Sequence, residues 1–365
     1  MIDRRLLTNF DWILLLMVVL ISGIGIVNLY SATYSWTFPG PPIYVKQLAW
    51  LGMGLVLALL VSCFDYRHLE YKGFWLYGLN ILLLIFVLVG GKTSMGATRW
   101  ISLGFFNLQP SEVMKIVIII TLARYFSLRA HADGFFLREL LVPALLIGLP
   151  AVLIMKQPDL GTALMVIFIA AGMLLLAGLR RNTFIVLALG GLGAAVGGWR
   201  LLRPYQKQRI LTFLDPEKDP LGSGYHIIQS KIAVGSGGFW GEGYMSGPQS
   251  QLSFLPERHT DFAFSVFAEE WGFAGSTVLL LLYLFLIIWG LYIARRAADS
   301  FGMFLALGVA AMMFWHIVVN LSMVIGLMPV VGVPLPLFSY GGTSMVTTMI
   351  GTGLLLNVSM RRFVF

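Results

Sequence analysis

Ten long apolar runs, separated by short polar segments, dominate this chain of 365 residues. An α-helix needs about 20 mostly apolar residues to cross the hydrocarbon layer of a bilayer, and the runs have about that length. They occupy residues 12–31, 47–64, 73–91, 111–127, 138–155, 159–178, 182–199, 270–293, 302–327 and 341–360. Hydrophobic residues make up 58% of the chain, which is too apolar for a soluble domain of this size. The sequence therefore predicts an all-α integral membrane protein with ten transmembrane helices.

The longest polar interruption, residues 200–261, lies between the seventh and eighth runs. No separate soluble domain and no repeat of fixed period is visible in the sequence. We therefore expect residues 1–365 to form a single membrane domain that carries residues 200–261 as a large loop. Residues 225–233 within this loop are amphipathic and predict a short interfacial helix.

Lysine and arginine are concentrated at one set of helix ends, which predicts the orientation of the chain. These residues are Arg4, Arg5, Arg67, Lys72, Arg124, Arg129, Arg138, Arg180, Arg181, Arg295, Arg296, Arg361 and Arg362. Positively charged short loops are retained in the cytoplasm, whereas long loops are translocated largely regardless of charge. Both termini are therefore predicted to be cytoplasmic, and the loop of residues 200–261 is predicted to lie outside the cytoplasmic (inner) membrane.

Several classes of protein lose support from the composition and the motifs. The net charge of +8 is dispersed between apolar runs, which fits membrane topology better than nucleic-acid binding. The single cysteine, Cys63, cannot form a disulfide framework. A phosphate-binding P-loop, a metalloprotease histidine pair and a hydrolase nucleophile elbow are also absent from the sequence.

Acidic and basic residues at the outer ends of the runs are candidates for function, because charge at membrane depth is costly. Glu112 and Lys115 are three residues apart and share one helix face. They could belong to a reaction site or form a buried ion pair that fixes packing. Asp159 begins the sixth run, where it could act in the site or cap the helix N-terminus.

Asp261 is the leading catalytic candidate. It lies at the predicted boundary of the membrane, between polar Thr260 and apolar Phe262, and partial desolvation there would raise its proton affinity. A carboxylate of this kind suits a general base. His316 and Asn320, inside the ninth run, are interpreted as interhelical hydrogen-bonding residues. Residues 339–342 could belong to the site or form a tight turn.

Five motifs and Asn320 resemble the signature of the shape, elongation, division and sporulation (SEDS) family. The motifs are QPSE at residues 109–112, LPERHTDF at 255–262, GLMP at 326–329, GVPLP at 332–336 and FSYGGTS at 338–344. The resemblance spans nearly the whole chain. Arg258, where a smaller residue is common, and the short tails are more similar to the elongation members than to the division members. Glu242 departs from the pattern, because a lysine is common at that position.

The resemblance implies a ten-span peptidoglycan glycosyltransferase that polymerises lipid II on the outer face of the membrane. It implies an essential aspartate at Asp261. The other site residues carried over are Glu112, Lys115, Asp159, Lys46 and Arg99, and we add Arg209, Arg258, His259 and Ser339 as candidates for substrate binding. The implied partners are lipid II, the growing glycan, a class B penicillin-binding protein and other membrane proteins of the elongation complex.

The predicted reaction is the attack of a sugar hydroxyl on an anomeric carbon that carries a lipid diphosphate. Asp261 would act as the base, and Lys46, Arg99, Lys115 and Arg209 or Arg258 would stabilise the departing phosphates. A divalent cation such as magnesium could assist, although the sequence identifies no metal ligands. The alternatives are a flippase for lipid-linked sugars, in which the same charges line a transport path, and a division-type polymerase.

The predicted orientation can be tested with one introduced cysteine. In a Cys63→Ser background, Glu217→Cys is expected to react with a membrane-impermeant maleimide in intact spheroplasts, because residue 217 lies in the outer loop. Labelling that requires lysis of the cells would contradict the orientation.

Overall fold

The computed structural model describes residues 9–34, 40–94, 97–102, 104, 107–129, 134–202, 204–219, 222–252 and 254–362. Arg4, Arg5 and Arg203 lie outside the described residues.

Ten helices coincide with the ten predicted runs. They are α1 (Trp12–Thr33), α2 (Ile43–Cys63), α3 (Arg67–Gly90), α4 (Pro110–Ser127), α5 (Leu141–Lys156), α6 (Leu160–Ala177), α7 (Arg181–Gly198), α11 (Ala263–Arg295), α12 (Ser300–Val324) and α13 (Gly342–Met360). The predicted all-α class is confirmed. By length and composition, seven of the helices in the described part of the chain can cross a membrane. The other three are α4, α7 and α13. The count of ten spans therefore stays a prediction.

The physical reason for this difference is visible in two of the three helices. Helix α4 carries Glu112, Lys115 and Arg124, and α13 is rich in threonine, serine and glycine. Both helices are nevertheless largely buried, so their polar groups face protein rather than lipid. Polar side chains in membrane helices are tolerated where they face other helices.

Helix α12 lies at the centre of the bundle. In its most apolar stretch 72% of the residues are buried, compared with 22% in α2 and in α3. It packs against α4, α6, α11 and α13. Because α12 touches protein along most of its faces, its polar side chains can satisfy their hydrogen bonds on neighbouring helices.

An irregular segment, residues 325–341, follows α12, and its second half is largely buried inside the protein. Leu335, Leu337 and Phe338 are each no more than 2% exposed. Helix α1 packs directly on this segment, because a Cβ added at Gly25 would lie 2.6 Å from the carbonyl oxygen of Phe338. Non-helical backbone at membrane depth is tolerated where protein surrounds it or where it borders a cavity.

Further elements connect the long helices. Before α4 lies a small antiparallel sheet, in the order β1 (Lys92–Ser94), β2 (Ala97–Ser102) and β3 (Asn107–Leu108), which the sequence analysis did not predict. The large loop contains α8 (Pro204–Leu214), α9 (Ser223–Ser236) and α10 (Pro248–Gln251). The predicted short helix at residues 225–233 is therefore confirmed as part of α9.

Helix α11 has a kink at Gly272, where the loop after α9 packs against it. Gly272 has φ +62° and ψ −161°. The broken helix leaves backbone groups free, and Phe273 N donates to Gly238 O at 2.9 Å while Glu242 N donates to Glu269 O at 3.0 Å. These bonds fix the loop between α7 and α11 to the first half of α11, the helix that follows Asp261.

Candidate active site

A cavity of about 410 Å³ brings together charged residues from four separate segments of the chain. Arg99 comes from β2, Glu112 from the first turn of α4, Asp159 from the residue before α6, and Asp261 from the turn before α11. The other lining residues are Trp50, Trp100, Asn107, Gln109, Thr162, Thr260, Gly332, Pro334, Tyr340, Gly341, Gly342, Thr343 and Ser344. The cavity therefore combines three carboxyl groups, one guanidinium group and the buried irregular segment.

A tight turn positions Asp261. Thr260 N and Phe262 N donate to Glu257 O at 3.1 and 3.4 Å. The side chain of Asn320, on α12, donates to Asp261 O at 2.8 Å. Gly332, with φ +77°, borders the carboxylate, because a Cβ there would lie 3.6 Å from Asp261 Oδ2. The backbone of Asp261 is thus held by α12, and its side chain faces the cavity.

The surroundings of Asp261 make it a better proton acceptor. Burial, and secondarily the negative charge of Glu257, raise the pKa of Asp261 from its ordinary value of 3.8 to about 6. The positive charge of Arg209 acts in the opposite direction but is outweighed. A carboxyl group with this pKa is mostly ionised at neutral pH and binds a proton more strongly than an exposed aspartate.

Asp159 caps a helix and also lines the cavity. Its Oδ1 accepts a hydrogen bond from Thr162 N at 3.2 Å, which caps the N-terminus of α6. Its Oδ2 accepts from Gln109 Nε2 at 3.0 Å, and the side chain also lines the cavity. The carboxylate is therefore held rigidly by two neighbouring elements.

Arg99 is anchored at the junction between α5 and α6. Its Nη1 lies 4.0 Å from Asp159 Oδ1, its Nε donates to Gln157 O at 3.4 Å, and its Nη2 donates to Pro158 O. The side chain is 32% exposed, compared with 8% for Asp159. Arg99 can therefore present positive charge to a ligand while its position stays fixed.

Glu112 and Lys115 form a buried ion pair at the inner wall of the cavity. Lys115 Nζ donates to Glu112 Oε1 at 2.8 Å, and the two side chains are 3% and 9% exposed. Lys115 Nζ also lies 2.9 Å from Nε2 of His316. Glu112 lines the cavity, whereas Lys115 lies behind it. The predicted interhelical hydrogen bond is confirmed for His316, which bonds Lys115 on α4. Asn320 instead bonds two non-helical segments, the turn before α11 and the irregular segment after α12.

Six of the predicted substrate-binding residues do not line this cavity. They are Lys115 and the five residues Lys46, Arg209, Arg258, His259 and Ser339. Lys46 is exposed on α2, and Arg209 Nη1 donates to Val330 O at 3.2 Å. Arg258, predicted as an alternative to Arg209 for stabilising the departing phosphates, is completely buried in the turn before α11. Ser339 is turned away from the cavity, since its Oγ accepts from Leu335 N at 3.1 Å. The backbone oxygen of His259 accepts from Tyr340 N at 2.9 Å, so His259 supports a cavity wall.

Trp50, Trp100 and Asn107 line the cavity but were not singled out in the sequence. Trp50 lies within an apolar run, where an aromatic residue is ordinarily part of the packing. Trp100 and Asn107 belong to the unpredicted sheet, whose short strands carry too weak a pattern to be recognised. Gly332 was part of a quoted motif, but its closeness to Asp261 depends on a contact between residues distant in sequence.

The bundle of long apolar helices is that of a polytopic membrane protein, and the charged cavity is its candidate active site. The chain belongs to the FtsW/RodA/SpoVE family of cell cycle proteins, whose family model matches residues 11–363. It is 42% identical to the peptidoglycan glycosyltransferase MrdB of Escherichia coli K12, over 91% of this chain and 90% of that protein. It is 36% identical to the peptidoglycan glycosyltransferase RodA of Treponema pallidum, over 98% and 99% of the two chains.

A solved structure has the same fold. It matches with a TM-score of 0.81 and 38% identity, covers 98% of this chain and 99% of its own, and is described as structural coordination of polymerization and crosslinking by a peptidoglycan synthase complex. The predicted resemblance to the SEDS family, and to its RodA members, is confirmed. The chain is thus a multi-pass membrane protein of this family.

The raised pKa of Asp261 predicts how stability depends on pH. The folded-state pKa of about 6 lies above the ordinary value of 3.8, so the stabilising contribution is complete below 3.8 and is lost as pH rises through about 6. Asp261→Asn carries no ionisable group at this position. We expect the melting temperature of the variant, relative to the wild type, to be higher at pH 8 than at pH 5.

Thermal unfolding of the detergent-purified proteins measures this difference. Glu217→Gln, at an exposed loop carboxylate, controls for the removal of a negative charge. A relative melting temperature of Asp261→Asn that is unchanged or lower at pH 8 would show that the ionised carboxylate is not destabilised in the fold.

Proposed function

We propose that this chain is a peptidoglycan glycosyltransferase that polymerises lipid II at the outer face of the cytoplasmic membrane, with Asp261 as the general base. The observation that carries the proposal is the cavity in which Asp261 lies with Arg99, Glu112 and Asp159. The relatives MrdB and RodA are named peptidoglycan glycosyltransferases, which supports the proposal.

The reaction transfers a glycosyl group from a lipid diphosphate to a sugar hydroxyl. The hydroxyl oxygen attacks the anomeric carbon, the bond from that carbon to the diphosphate oxygen breaks, and the hydroxyl proton passes to Asp261. The diphosphate leaves with the bonding electron pair and needs no acid to protonate it. Direct displacement inverts the anomeric centre, so an α-linked donor gives a β-linked product. The raised pKa of Asp261 favours this proton transfer at neutral pH.

The cavity also has to stabilise the negative charge that develops on the diphosphate. Arg99 is the basic residue that lines it in the described part of the chain, and its fixed position suits electrostatic stabilisation of the departing phosphate. Arg209 lies near enough to act on the pKa of Asp261, so it is a second source of positive charge. Lys46, exposed on α2, is available to the diphosphate only if that group reaches past the cavity.

A divalent cation such as magnesium is part of the proposal. Within the described ranges no group of three or more histidine, cysteine, aspartate or glutamate residues could hold a metal ion. Magnesium is commonly bound by one or two carboxylates together with substrate phosphates, and the cavity offers the carboxylate of Asp159 for such sharing. We expect a chelator to reduce polymerisation and added Mg²⁺ to restore it. Full activity after exhaustive chelation would remove the cation from the mechanism.

The catalytic role predicts the behaviour of Asp261→Asn. The amide is nearly isosteric with the carboxyl group but cannot accept the proton, so the variant is expected to fold and bind lipid II while polymerisation falls by about 10²- to 10⁴-fold. Polymer formation by purified protein is measured beside melting temperature and lipid II binding. Glu257→Gln, a change at the exposed carboxylate of the same turn, serves as the matched control and should retain most activity.

A folded Asp261→Asn variant that polymerises at close to the wild-type rate would show that another group is the base, with Glu257 or Glu112 as the next candidate. A variant that cannot be purified folded would instead assign Asp261 a structural role in the turn before α11.

The partner in the proposal is a transpeptidase. The solved structure described as a peptidoglycan synthase complex supports an assembly that combines polymerisation with cross-linking. A class B penicillin-binding protein, together with other membrane proteins of the elongation complex, fits this description. The proposal also keeps both termini of the chain in the cytoplasm, on the basis of the distribution of lysine and arginine. We expect such a transpeptidase to co-purify with the chain in mild detergent. Its consistent absence, with the chain intact and active, would contradict the assembly.

A further inference from the structure

We propose that His316 is a positioning residue for the transfer reaction, which acts through Lys115 to orient Glu112 towards the substrate. This inference rests on the proposed function. It assigns to Glu112 the binding of a sugar hydroxyl, and to His316 the support of that contact from inside the bundle.

The hydrogen bonds of His316 determine which of its nitrogens carries a proton. The side chain is 4% exposed in α12. Its Nδ1 lies 2.7 Å from Met312 O, and a carbonyl oxygen can only accept, so Nδ1 is the donor. Its Nε2 lies 2.9 Å from Lys115 Nζ. An ammonium group can only donate, so Nε2 accepts and the ring is neutral.

Lys115 is thereby held between two acceptors on different helices. It donates to Glu112 Oε1 at 2.8 Å within α4 and to His316 Nε2 on α12. The ammonium group is 3% exposed, so water does not replace either contact at low cost. The position of Lys115 therefore depends on His316, and the orientation of the Glu112 carboxylate depends on Lys115.

The other oxygen of Glu112 is left for a ligand. Glu112 Oε2 is buried and has no hydrogen-bond partner among the described residues, although Glu112 lines the cavity. An unsatisfied buried carboxylate oxygen is costly. A sugar hydroxyl in the cavity would supply the missing donor. Glu112 Oε2 is thus a specific acceptor for a hydroxyl of the substrate on the cavity wall.

Helix α12 links this contact to the general base. Asn320 lies four residues after His316, hence on the same helix face, and donates to the backbone oxygen of Asp261 at 2.8 Å. One buried helix therefore positions the carboxylate that accepts the proton and, through Lys115, the carboxylate that holds the substrate. Loss of the His316 contact is expected to impair turnover more than a loss of packing alone would.

A double-mutant cycle tests the route through Lys115. The variants are His316→Phe, which removes the acceptor, His316→Gln, whose amide oxygen can replace Nε2, Lys115→Met, and the double variant His316→Phe with Lys115→Met. We expect His316→Phe to lower kcat by about 10- to 100-fold, because small misplacements of a reacting group have effects of this size. His316→Gln should recover most of this loss, and the double variant should be no slower than Lys115→Met alone.

A matched control separates positioning from packing. Phe304 is buried on the same helix, twelve residues before His316, and packs on Phe126. Phe304→Leu is expected to lower the melting temperature, and its effect on kcat should multiply with that of Lys115→Met, as for independent sites.

The outcomes distinguish this inference from the function on which it rests. A wild-type chain that makes no polymer overturns the proposed function and this inference with it. An active wild type in which the losses from His316→Phe and Lys115→Met multiply overturns the inference alone. So does failure of His316→Gln to recover activity while its melting temperature equals that of the wild type.

Discussion

The hydrogen bonds of one buried ammonium group, that of Lys115, hold the site together. A charge inside a helical membrane protein has to be paired, because the surrounding hydrocarbon offers no compensating solvent. Lys115 meets this requirement with Glu112 on its own helix and His316 on α12. The constraint that makes the fold viable therefore also fixes the position of α4, which contributes Glu112 to the cavity, relative to α12.

Helix α12 extends this arrangement to the rest of the cavity. Asn320 donates to the backbone oxygen of Asp261 and to that of Val333, each at 2.8 Å. The first bond positions the turn before α11, and the second positions the irregular segment that borders the cavity. Because α12 is the most buried of the apolar helices in the described part of the chain, it has little freedom to move without disturbing all of its neighbours. Such rigidity suits a site that must hold a general base and a substrate in a fixed relation.

The sequence was sufficient to predict features that depend on local pattern. The apolar runs predicted all ten long helices, because each run has about the length that a helix needs to cross the hydrocarbon layer. The spacing of Glu112 and Lys115 predicted their contact, because residues three apart share a helix face. The motifs also identified Asp261 and Asp159, which line one cavity in the structure.

Features that depend on contacts between distant segments could not be predicted in the same way. The burial of Arg258 results from the turn that also directs Asp261 into the cavity, and the charge of an arginine favours an exposed position instead. The approach of Gly332 to the Asp261 carboxylate joins two segments about seventy residues apart. Trp50 and Trp100 reach the cavity from elements whose local patterns indicate only a membrane helix and a short strand.

The most direct test of the account is the polymerisation of purified lipid II by the purified chain in detergent, without a sealed bilayer. A glycosyltransferase whose cavity contains its own base is expected to produce β-linked glycan under these conditions, and release of lipid diphosphate should accompany every bond formed. A flippase has no transport to perform in detergent. Absence of polymer from a folded chain that binds lipid II, in the presence of Mg²⁺ and a class B penicillin-binding protein, would contradict the assignment of the cavity as a catalytic site.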